Sequence, residues 1–138
     1  MHEVVLIYSR RFSLKLMTYI LILFTTLFQL EVNKDLENRL LSALEKGNSK
    51  ELSKHFTSSV RMSVNQDSRL TTKFQAELIL EDYFNNNKLV NIKKSDVSEE
   101  LSKQFIVFEA VSNRRKVRIF IKFVQLKGTD YISEFRID

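Results

Sequence analysis

From Leu89 to Asp138 the chain is built of short runs in which apolar and polar residues alternate, divided by clusters of turn-forming residues. Leu89–Lys93, Phe105–Val111, Val117–Leu126 and Tyr131–Ile137 read as strands. Asp96–Lys103 is polar and reads as a turn region, and Ser112-Asn113-Arg114 and Lys127-Gly128-Thr129-Asp130 read as tight turns. Consecutive strands on connections this short pair antiparallel. A meandering sheet of this kind must bury one face, so the helices upstream have to supply its cover.

Three helical stretches are available for that role. Asn33 is placed to cap a helix that carries Leu36, Leu40, Ala43 and Leu44 on one stripe, and Gly47 suits the left-handed position just past its end. Ser49 is placed to cap a short second helix in which Leu52 and Phe56 lie four apart. Ser59–Asn65 then alternates as a strand, with Val60, Met62 and Val64 on one side. Thr72 followed by Gln75 matches a capping box, and the helix it opens sets Ala76, Ile79, Leu80 and Tyr83 on one face before Asn85-Asn86-Asn87 ends it. The expected architecture is α+β, with three helices packed in a strongly curved antiparallel sheet.

The N-terminus has a different character. Arg10, Arg11 and Lys15 precede Leu16–Leu30, a 15-residue window with 11 apolar and no charged residues. Basic flank, apolar run and polar exit form the pattern of a membrane-targeting leader. A secretory signal needs an apolar core of roughly 7–15 residues and a bilayer-spanning helix roughly 20, so the window lies at the boundary. No small-x-small pair marks a cleavage site between Thr25 and Leu30, and both a signal peptide and an uncleaved anchor stay open. The expected organisation is a leader over residues 1–32 and one domain over 33–138. Basic residues stay on the cytoplasmic side, which sends the domain outside the inner membrane.

The chain has no cysteine, which excludes disulfides and thiolate metal sites. Its two histidines, His2 and His55, cannot build a histidine metal cluster. With Gly47 and Gly128 as the two glycines, no phosphate-binding glycine loop exists, and no cofactor is implied. A net charge of +5 raises nucleic-acid binding, but the dense basic cluster, Arg114, Arg115, Lys116 and Arg118, falls at a turn between strands and reads as a solvated hairpin tip. Nucleic acid is therefore not an expected partner, and membrane contact is expected through the leader alone.

Several segments carry a resemblance. Glu51-Leu52-Ser53-Lys54-His55-Phe56, the strand Val60–Val64, Phe74-Gln75-Ala76-Glu77-Leu78-Ile79-Leu80 with Tyr83-Phe84, and Tyr131-Ile132 with Phe135-Arg136-Ile137 are similar to the family catalogued as domain of unknown function 4783. The resemblance covers about residues 33–138. It implies the nuclear transport factor 2-like fold, a cone of three helices enclosed by a curved sheet. It also implies a small exported bacterial protein behind an N-terminal leader. The family has no assigned function, so it brings no site with it. The chain departs from the pattern at Asp96-Val97-Ser98-Glu99-Glu100, where glycine is expected, and at His55, where an aromatic is favoured.

Enzymes on that fold place an Asp, His or Tyr inside the cone. His55 lies near an apolar stripe, where a half-buried structural histidine is the plainer reading than a catalytic base. Glu109 shares a strand face with Phe105 and Val107. Turned into the cone, its carboxylate would be poised to move a proton; turned outward, it is a solvated rim residue. Tyr83 and Tyr131 are amphipathic aromatics suited to a core edge. Asp96, Glu99 and Glu100 lack the spacing of a calcium loop.

A stronger signal lies on the longest strand. Val117, Ile119, Ile121 and Phe123 take one face, yet the other still carries Phe120 and Val124 between Arg118, Lys122 and Leu126. A strand face turned to water is ordinarily more polar. Ile106 and Phe108 are expected to extend the same outer surface. An apolar patch rimmed by charge marks a partner site, and a homodimer through Phe108, Phe120, Val124, Arg118 and Lys122 follows. The leading expectation is a non-catalytic exported domain that binds a protein partner or a small apolar ligand. The alternatives are an enzyme using Glu109 or His55 in the cone, and a membrane-tethered assembly component.

Overall fold

The computed structural model describes residues 2–96 and 104–138, with the backbone alone for 2–6, 9, 12 and 24–33. Apart from Asp96, the turn region expected over Asp96–Lys103 lies outside the described residues. The chain divides into two compact units, Met1–Arg39 and Leu40–Asp138.

Helix α1 runs over His2–Lys46. The helix expected to start at Asn33 therefore has no start there, because Asn33 lies inside α1 and the backbone continues through it. In the first unit Leu14, Met17, Tyr19 and Leu21–Leu23 are exposed. Among the described residues no helix is long and apolar enough to cross a membrane.

The second unit begins at Leu40, which is buried with Ala43 and Leu44 on the last turns of α1. The helix then stops in a Schellman motif: Asn48 N–H donates to Ala43 O at 2.8 Å and Gly47 N–H to Leu44 O at 3.2 Å, with Gly47 at φ +60°. Helix α2 is Ser49–Ser53, and its cap is Asn48 rather than Ser49, since Asn48 Oδ1 accepts from Glu51 N–H at 3.0 Å. Ser49 is instead buried within the first turn.

Strands β1 (Phe56–Val64) and β2 (Asp67–Thr72) form a hairpin. Helix α3, Lys73–Asn86, follows directly. Both arms of the expected capping box are present: Thr72 Oγ1 accepts from Gln75 N–H at 3.2 Å, and Gln75 Oε1 accepts from Thr72 N–H at 3.0 Å. At the other end Asn86 and Asn87 side chains donate to Asp82 O and Tyr83 O, which satisfies last-turn carbonyls. Strands β3 (Val90–Lys94), β4 (Phe105–Ser112), β5 (Arg115–Leu126) and β6 (Thr129–Ile137) complete the order.

The six strands lie in the order β2-β1-β6-β5-β4-β3. Every pairing is antiparallel except β1 with β6, which is parallel, so the expected all-antiparallel sheet is a mixed one. The three hairpins each turn on two residues with positive φ: Asn65-Gln66, Asn113-Arg114 and Lys127-Gly128. These are the type I′ turns whose twist matches that of paired strands.

Curvature comes from breaks in register. Ser133 is skipped between the pairs Lys122 with Glu134 and Phe123 with Ile132. On the other side of β6, the four residues Thr57–Val60 of β1 stand against Ser133 alone between the pairs Phe56 with Ile132 and Arg61 with Glu134. Asn91, at φ +53°, is extra between the pairs Val90 with Val111 and Lys93 with Glu109. Bulges bend a strand and increase its twist, and here they curve the sheet, whose β1 and β2 pack against α3.

The inner face and the helices bury one apolar core. Its largest fully buried side chains include Phe56, Phe108, Phe135, Leu52, Leu80 and Ile121. Phe56 and Phe135 meet edge to face with ring centroids 6.0 Å apart. Ser53 Oγ joins α2 to α3, lying 2.8 Å from Glu77 Oε2 and 2.9 Å from Lys50 O.

Candidate functional site

Register decides which side chains reach the interior. On β4, Ile106, Phe108 and Ala110 are buried, and Phe108 is 0 % exposed. They pair with Ile121, Ile119 and Val117, the core-facing set of β5. The expectation that Ile106 and Phe108 extend the outer surface is therefore reversed. The residues that do extend it are Phe105, Val107 and Val111, which alternate with the buried set and are half-buried. One charged residue carried the signal: Glu109 is the one ionisable side chain of β4, and its phase sends Phe105 and Val107 outward with it.

Glu109 itself points outward. Its side chain is 59 % exposed and lies 3.8 Å from Arg118, which is 66 % exposed. A pair this open to solvent contributes little to stability. It is not the inward, desolvated carboxylate that proton transfer within the cone requires. His55 sits in the turn between α2 and β1 and is half-buried. Its backbone carbonyl accepts from Ile132 N–H at 2.7 Å, so the position fixes how β6 enters the sheet. The structure does not bring Glu109 and His55 together: one lies on the outer face of β4, the other before β1.

The buried polar side chains among the described residues are Ser49, Ser53, Ser63, Thr71 and Ser112, with no ionisable group among them. Tyr83 is also buried, and the loss of water pushes its phenol pKa up, so the hydroxyl stays neutral across the physiological range. Among the described residues no three His, Cys, Asp or Glu side chains gather as a metal site would need.

The outer face of the sheet is built differently. Phe105 of β4 and Phe120 of β5 pack against each other with their rings tilted by 36° and their centroids 5.0 Å apart. The guanidinium of Arg136, on β6, lies over the Phe120 ring at 4.9 Å from its centroid. That is cation–π geometry, with the planar cation against the electron-rich face. Arg136 Nε is 2.9 Å from Asp138 Oδ2, the distance of an ion pair, although the N–H is not aimed along a hydrogen bond. Arg136 lies opposite Phe120 and beside Ser63, which is 6 % exposed. Phe120 is thus half-buried by its own neighbours rather than standing free. Val124 remains 37 % exposed and Lys122 is exposed between them. Tyr131, paired with Val124, adds a half-buried aromatic to the same face.

The family model described as Domain of unknown function (DUF4783) matches residues 38–138. The chain belongs to this family. A DUF4783 family protein from Bacteroides fragilis superposes with a TM-score of 0.64 at 24% identity, over 72% of this chain and 94% of that one. A second DUF4783 family protein, from Bacteroides uniformis, gives 0.64 at 21%, over 73% and 94% of the two chains. An NTF-2 like protein of unknown function from Silicibacter pomeroyi gives 0.56 at 13%, over 82% and 97%. The DUF4783 domain therefore has the nuclear transport factor 2-like fold, as the segments around Gln75-Ala76-Glu77 and Tyr83-Phe84 implied. No match appears among curated proteins.

Proposed function

We propose that this DUF4783 domain is an exported binding module that takes a protein partner on the outer face of its sheet. The observation that carries the reading is the array of Phe105, Phe120 and Arg136, two packed aromatics of which Phe120 lies under a guanidinium, on a face turned away from the core. Aromatic and arginine side chains dominate binding energy where they occur together at the centre of an interface. The interior offers a contrast, since Phe56, Phe108 and Phe135 occupy it.

In cells whose own copy is deleted, wild-type protein should restore the protein's role and Phe120→Glu should not. His55→Ala should restore it, because the contact that His55 makes to Ile132 uses the backbone. Loss of the role in a folded His55→Ala variant would revive the enzyme reading.

Export rests on Arg10, Arg11 and Lys15 ahead of the apolar run. A reporter enzyme that works only outside the cytoplasm, fused after Asp138, should be active. Silence of a well-expressed fusion would remove the leader from the reading. The mass of the mature N-terminus then separates a released protein from a tethered one.

A further inference from the structure

The charges on the outer face are not balanced. Following the pleat across the sheet, Arg61, Lys93, Lys116, Arg118, Lys122 and Arg136 share the phase of Phe120, and so do Glu109, Glu134 and Asp138. The six cations exceed the three carboxylates, and each carboxylate is already flanked by a cation. Each carboxylate is shared by two cations: Glu109 lies between Arg118 and Lys93, and Asp138 contacts Arg136 and lies in register with Arg118. Glu134 lies in register between Lys122 on one side and Arg61 on the other. Among the described residues the surplus positive charge has no counterpart within the face, and Arg118, Lys122 and Arg136 are offset only in part. We infer that the occupant of this face is an acidic protein segment, with an apolar or aromatic side chain seated on Phe105 and Phe120 and carboxylates reaching Arg118, Lys122 and Arg136. This rests on the outer-face reading above and adds the chemistry of the partner to it.

Two other occupants fit the same observations less well. A second copy of the chain would set the face against itself, since a two-fold interface is self-complementary only if its charges are. Here it would bring one cationic rim onto another at each anchor ring, the like-charge arrangement that interfaces use to reject a partner. A uniform polyanion, such as a phosphate backbone or an anionic membrane, would meet Glu109, Glu134 and Asp138 interspersed among the cations. A polypeptide can leave those carboxylates opposite its own cations or polar groups, and a repeating phosphate cannot.

The test uses the full chain and a random-peptide library displayed on phage. Selected peptides should carry acidic residues beside an apolar or aromatic one. Their affinity should fall about tenfold when Arg118 and Lys122 are both replaced by glutamate, and by a similar factor between about 50 and about 500 mM salt. Phe120→Glu should abolish binding, with circular dichroism confirming the fold; should that variant not fold, Phe120→Ser takes its place. Neutral or basic peptides lost on Phe120→Glu, yet indifferent to the Arg118→Glu, Lys122→Glu pair, would overturn the acidic partner and keep the outer-face reading. Peptides indifferent to Phe120→Glu, or no enrichment at all, would overturn both. A micromolar dimer in sedimentation that Phe120→Glu splits would give the face to a second copy. Binding of phosphatidylglycerol vesicles or a DNA duplex that the Arg118→Glu, Lys122→Glu pair abolishes would give it to a polyanion.

Discussion

Replacing Phe108 by alanine should destabilise the domain by about 3–5 kcal/mol, the range for truncating a fully buried phenylalanine. Phe108 is 0 % exposed and pairs with Ile119 in the middle of the inner face. Its removal leaves a cavity that the sheet cannot close, because the neighbouring strands are fixed by their own ladders. Phe105→Ala, three residues earlier on the outer phase, should cost about 1 kcal/mol, since that ring is half-buried and loses chiefly its contact with Phe120. Urea denaturation of the two variants reads the difference directly. Equal losses, or a larger loss for Phe105→Ala, would mean that β4 presents its other phase to the core.

Gly47→Ala should lower stability by about 2 kcal/mol, from a backbone penalty of roughly 1–2 kcal/mol in the left-handed region and a contact that has to give. Gly47 has φ +60°, and a Cβ there would lie 3.2 Å from Cβ of Phe84. Both groups are backbone-anchored, so the helix ends must move apart rather than a flexible tip swing away. The expected fall in melting temperature is on the order of 10 °C for a domain of this size. Gly47→Asn separates the causes. Asparagine tolerates the left-handed φ better than alanine but adds more bulk toward Phe84. A smaller loss for asparagine assigns the effect to backbone strain, a larger one to the Phe84 contact.

The candidate site was legible in the sequence at Phe120, Val124, Arg118 and Lys122, which lie on one phase of β5 as alternation demands. Phe105 and Arg136 were not assigned to it. Both phases of Phe105–Val111 carry a phenylalanine, so bulk does not choose between them, and the one distinguishing residue is Glu109, whose charge marks the Phe105 phase as the outer one. Arg136 reaches Phe120 only because the bulge at Ser133 shifts the β5–β6 register by one residue; the register set at the Lys127-Gly128 turn would otherwise put Phe135 opposite Phe120. Strand β2 was missed for another reason. It is an edge strand in which Thr71 alone is buried and Leu70 is 66 % exposed, so no apolar stripe marks it. The displaced cap at Asn48 reflects a tie between adjacent capping residues, broken by the Schellman turn that places Asn48 first.

The sequence by itself determined the elements whose cause is local. The Thr72–Gln75 box starts α3 through hydrogen bonds within one turn, Gly47 stops α1 because few other residues adopt its φ, and the short polar turns make β4, β5 and β6 antiparallel neighbours. Only the tertiary structure decided the parallel pairing of β1 with β6, the bulges at Ser133 and Asn91 that curl the sheet, and the choice of Phe108 for the core. Each of these depends on partners far apart in the chain. Side-chain phase has a period of two, so a strand that is apolar on both phases turns toward whichever set its neighbours have left room to bury.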